Sequence, residues 1–127
     1  MARFLLMWLV FLSLHVACLG QQLEARHSEH HFGVIREGEQ VEHTFLYKNI
    51  GQKPLIVNDV RLTCGCTAVE WDKEPLPAGD STRLTIRFDS RNKLGRQRKV
   101  ITLISNATNA PTRLQLIGTV LPGKAQK

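Results

Sequence analysis

Little in this sequence points to chemistry. Its 127 residues contain no Gly-x-Ser-x-Gly, no His-Glu-x-x-His and no glycine-rich phosphate loop, so common hydrolase, metalloprotease and nucleotide-binding signatures are missing. No segment shows apolar residues recurring every three or four positions between helix caps, which excludes a helical bundle. There is no internal repeat and no low-complexity linker, so one domain is expected. The basic stretch Arg91, Lys93, Arg96, Arg98 and Lys99 has no aromatic residues interleaved. It therefore lacks the stacking surfaces that single-stranded nucleic acids use, and no nucleic-acid partner is expected. Together these absences predict a protein that is not an enzyme and takes no cofactor.

What is present begins with a leader. Residues 1–20 read MARFLLMWLVFLSLHVACLG, with Arg3 before an apolar run from Phe4 to Leu14 and small residues at Ala17, Cys18 and Gly20. That is the layout of a secretory signal peptide. The run is shorter than the roughly 20 residues a membrane span needs, so no transmembrane span is expected in the mature form. Cleavage after Gly20 would leave Gln21 first. Cys18 offers a second route, a lipid anchor, although His15 stands where a lipoprotein signal prefers Leu. Either route predicts an exported chain, periplasmic, secreted or at the cell surface. Beyond residue 20 there are 16 Lys and Arg against 11 acids. That excess favours solubility and attraction to anionic surfaces and says nothing about fold.

The rest of the chain alternates. Val41, His43, Phe45 and Tyr47 interleave with Glu42, Thr44, Leu46 and Lys48, and Leu84, Ile86 and Phe88 with Arg83, Thr85 and Arg87. Further short runs at 31–35, 55–62, 67–71, 99–105 and 114–120 are separated by Gly, Pro, Asn and Asp. About seven strands punctuated this way predict an all-β, immunoglobulin-like sandwich over residues 31–121. Residues 21–30 are expected to be a flexible lead-in and 122–127 a flexible tail.

Several motifs sit on that frame: Phe32-Gly33, Gly38-Glu39, Asn49-Ile50-Gly51-Gln52-Lys53-Pro54-Leu55, Cys64-Gly65-Cys66-Thr67, Pro77-Ala78-Gly79 and Ser105-Asn106. The run from Phe45 to Val57 resembles the strand-turn-strand of immunoglobulin-like domains of the ASPM, SPD-2, hydin group. The ordered set, covering about residues 31–121, is similar to the bacterial domain-of-unknown-function family 1573. The resemblance implies an exported bacterial β-sandwich, without implying a reaction.

Cys64 and Cys66 are the sharpest chemical feature. On a regular strand they would share a face with Cα atoms near 7 Å apart, beyond ordinary disulfide geometry. A bridge would require a bent backbone, which Gly65 permits, and would be strained and open to redox chemistry. Two thiolates could instead supply half of a tetrahedral zinc site or capture Cu(I), with His27, His30, His31 and His43 as candidate further ligands. The third reading is structural, a pair of small apolar side chains packed at a strand junction. The expected function is accordingly an exported, non-catalytic binding or structural module with a protein or cell-envelope partner. Metal binding or thiol redox chemistry at Cys64 and Cys66 is the alternative.

Overall fold

The computed structural model describes residues 20–123. Residues 1–19 of the expected leader, Cys18 among them, lie outside these, as do the last four residues of the expected tail. Among the described residues there is no helix, and so none long and apolar enough to cross a membrane.

Eight strands form: β1 (Leu23–Ala25), β2 (Glu29–Arg36), β3 (Gln40–Asn49), β4 (Val57–Leu62), β5 (Thr67–Trp71), β6 (Ser81–Asp89), β7 (Gly95–Ser105) and β8 (Thr112–Leu121). They pair as two four-stranded sheets, β1-β3-β6-β5 and β2-β8-β7-β4. All pairs are antiparallel except β2 with β8. This is the immunoglobulin arrangement, with the amino-terminal strand split so that β1 joins one sheet and β2 the other.

The core follows from the alternation. Phe45, Leu84, Ile86 and Phe88 from the first sheet meet Ile101, Leu103, Leu114 and Leu116 from the second, each at most 2% exposed. Between the sheets these side chains leave water as one cluster, at roughly 1.5–3 kcal/mol for each large one.

One expectation needs correcting. Residues 21–30 are not a loose lead-in. Leu23 to Ala25 pair with Asn49 to Tyr47, and Leu23 is buried. Asn109 clamps the backbone of Leu23, its Oδ1 accepting from the N–H at 3.1 Å and its Nδ2 donating to the carbonyl at 2.8 Å. The sandwich also has one strand more than the pattern suggests, because three residues are too few to show an alternation.

The polar motifs hold the turns. Asn49 is fully buried. Its Nδ2 donates to the carbonyls of Lys53 and Leu76 at 2.7 and 3.0 Å, and its Oδ1 accepts from Gly51 N–H at 3.0 Å. Gly79, with φ of 84°, donates its N–H to the Asn49 carbonyl. Asn106 Oδ1 accepts from Ile56 N–H at 2.9 Å and so fixes the approach to β4. Buried Ser90 donates to the Glu39 carbonyl and accepts from Gly38 N–H, pinning that turn. Phe32 is the extra residue at a bulge in β2, where the register with β8 slips between His31 and Gly33. Its ring lies where a side chain on Gly118 would stand and packs tilted against Phe88 at 5.8 Å.

Candidate functional site

Cys64-Gly65-Cys66 lies in the connection that leaves β4 in one sheet and enters β5 in the other. There the backbone turns, and the two Cα atoms come to 5.3 Å. That is inside the disulfide range, and the two sulfurs are bonded. The extended-strand separation does not apply because the motif turns a corner between sheets. Thr67 Oγ1 donates to the Cys64 carbonyl at 3.0 Å, and Asp89 N–H donates to the Cys66 carbonyl at 2.9 Å. Both cysteines stay partly accessible and Gly65 is exposed.

Beside this corner an open cleft of about 520 Å³ runs to the β6–β7 turn. Its walls include Cys66, Phe88, Arg87, Arg91, Lys93 and Asp89. Arg87 binds Glu42 at 2.7 Å and Glu70 at 3.4 Å, and the Glu42 hydrogen bond and charge hold its pKa up. Arg91 binds Asp89 at 2.7 Å, and its hydrogen bonds keep the Asp89 carboxyl below its ordinary range. Lys93 forms no ion pair among the described residues. It approaches Lys99, whose amine rests 5.4 Å above the Phe88 ring. Burial, and then Lys93, lowers the Lys99 pKa.

The histidines gather elsewhere. His30 on β2 and His43 on β3 stack across the two sheets, ring centres 3.6 Å apart and planes 6° from parallel. Phe45 meets His43 edge-on at 4.6 Å. Desolvation lowers both histidine pKa values, assisted by His31 at His30 and by His30 and His27 at His43. His31 turns outward to Glu29 at 3.3 Å. Among the described residues no three His, Cys, Asp or Glu side chains gather in a way that would hold a metal ion. The candidate ligands His27, His30, His31 and His43 thus do not assemble with Cys64 and Cys66.

The basic run is divided by β7. Arg91 and Lys93 belong to the cleft, Lys99 turns inward, and Arg96 and Arg98 face out. On that outer face they join Arg36 from β2, Arg61 from β4 and Arg113 from β8, all five exposed. Only Glu29 and Asp59 oppose them there. The other sheet's outer face carries slightly more acid than base, with Glu24, Glu42, Glu70 and Asp89 against Lys48, Arg83 and Arg87. Arg36, Arg61 and Arg113 escape a sequence reading because each is isolated in the chain.

Comparison with known proteins bears on this arrangement. Residues 23–120 match the family described as protein of unknown function (DUF1573). The chain belongs to the DUF1573 family. No curated protein matches the sequence. Among solved structures, a protein of unknown function from Porphyromonas gingivalis W83 superposes with a TM-score of 0.68 at 17% identity. The alignment covers 84% of this chain and 51% of that one, so this chain spans about half of that protein's length. The ASH/PapD-like domain 7 of human CEP192 gives 0.66 at 14% identity, over 85% of this chain and 91% of that one. The YadV chaperone gives 0.56 at 15%, over 84% and 54%. At these identities the likeness is one of fold, and a shared sandwich does not carry a shared activity.

Proposed function

We propose that this DUF1573 chain is an exported, non-catalytic binding module whose partner is an acidic polymer of the cell envelope. The outer face of β2-β8-β7-β4 is the surface that takes it. The observation behind this reading is the placement of the arginines, five against two acids on one face, whereas the other face carries three bases against four acids. A sheet fixes its outward side chains at regular spacing, about 7 Å between alternate residues of one strand. Guanidinium groups so held suit repeated carboxylates or phosphates, which they bind in pairs of hydrogen bonds. The buried polar side chains Asn49 and Ser90 are committed to backbone partners in turns. Their work is architectural, in keeping with a module that binds without reacting.

Polygalacturonate, a uronic-acid polymer, is the probe. The exported chain, identified by an intact mass beginning at Gln21, is expected to bind it with an affinity that falls as salt rises. Arg96→Glu with Arg98→Glu weakens binding at least about tenfold, since each close charge contact contributes of order 1 kcal/mol. Arg83→Glu on the opposite face leaves binding nearly unchanged. Equal losses on both faces would reduce the interaction to net charge. A chain retained in the cytosol with residues 1–20 attached would overturn the export half.

A further inference from the structure

We propose that Cys64–Cys66 is an exchangeable disulfide that accepts electrons from small anionic thiols entering the cleft beside it. Among the motifs of this sequence, the cystine corner stands apart. The Asn49, Ser90, Asn106 and Phe32 motifs are absorbed into turns and bulges. The bridge instead closes a ring between residues only two apart, so it cross-links no distant parts of the fold. The chain-entropy stabilisation of a disulfide grows with the loop it closes, so this one contributes little in that way. Its placement suits access: both cysteines are partly exposed, and Cys66 forms part of the cleft wall.

The surrounding charge suits an anion. Arg87 and Arg91 have acidic partners, whereas Lys93 has none among the described residues. Lys99 borders the same cleft, its Nζ 5.4 Å above the ring of Phe88, which shares the cleft wall with Cys66. Nearby ammonium groups draw in an anionic thiolate and stabilise the thiolate that leaves.

The exchange proceeds in two steps. The incoming thiolate attacks Cys66 Sγ, the Cys64–Cys66 bond breaks, and its electron pair departs on Cys64 Sγ, which takes a proton from water. A second thiolate attacks the outer sulfur of the mixed disulfide on Cys66. This releases the small molecule as its own disulfide and Cys66 as a thiolate. The protein gains two electrons and two thiols of the small molecule lose them.

The test compares two thiols of opposite charge, 2-mercaptoethanesulfonate and 2-mercaptoethylamine, at low salt with rates expressed per thiolate. The same pair acting on urea-unfolded protein gives the intrinsic ratio. The folded protein is expected to yield no alkylatable thiol before reduction and two afterwards. Its preference for the anion exceeds the intrinsic ratio by about threefold or more. Lys93→Glu pulls the ratio back toward the unfolded value, while Lys48→Glu, at the far end of β3, does not. Quenched samples carry the adduct on Cys66. Two free thiols in the exported protein, a bridge inert to both reagents while folded, an absent charge preference or an adduct on Cys64 would each overturn the proposal.

Discussion

Asn49 concentrates at one residue what holds this fold. A fully buried amide is costly unless its donors and acceptor are used, and here all three bonds go to backbone groups of two separate turns. Asn49→Ala takes these partners from the Lys53 carbonyl and the Gly51 N–H, while the Leu76 carbonyl keeps the Leu55 N–H, so the domain should lose about 1–3 kcal/mol. Urea denaturation measures it as a lower midpoint at unchanged slope. The motif was legible in the sequence as a turn, from Gly51 and Pro54. Its second role, fastening the Pro77 to Gly79 turn, was not, because that partner lies 27 residues away. Cys64 and Cys66 show the same limit. Along a strand their spacing is too wide for a bridge, and spacing alone does not reveal that the chain turns a corner there and closes one.

At the scale of elements, the runs at 31–35, 55–62, 67–71, 99–105 and 114–120 were legible as β2, β4, β5, β7 and β8 along with the two cleanly alternating strands, and only β1 and the start of β7 were not. Val41 to Tyr47 and Leu84 to Phe88 fall within β3 and β6, whose inner faces are apolar and outer faces polar. The start of β7 was hidden because its outward residues are Arg96 and Arg98 and its inward ones include Gln97. A polar segment of that kind reads as loop until its partner strand is known. The meeting of β2 and β3 through His30 and His43 was equally out of view, since strands of different sheets face each other only once the sandwich has closed. That stack makes stability depend on pH. Desolvation holds both folded-state pKa values below the unfolded 6.5. Between those values and 6.5 the unfolded chain binds more protons, so stability rises with pH there. The melting temperature should be flat above about pH 7 and fall as pH drops through 6.5 toward the folded-state values. His30→Gln with His43→Gln should flatten that decline; thermal melts from pH 8 to pH 5 compare the two proteins. His27, His31 and Glu29 adjoin the stack and remain in both.

For the whole molecule, the split amino-terminal strand has a mechanical consequence. β2 and β8 run in the same direction with seven residue pairs, three before and four after the Phe32 bulge, and they lie near opposite ends of the chain. Tension drawn between the two chain ends therefore pulls β2 backward and β8 forward along their shared axis. Their hydrogen bonds stretch together as a sheared seam, whereas bonds peeled from one end open singly. The domain should thus behave as a stiff link in anything tethered at both ends. Force spectroscopy across the termini is expected to give one abrupt high-force rupture; gradual yielding at low force would mean that the seam does not resist as a unit.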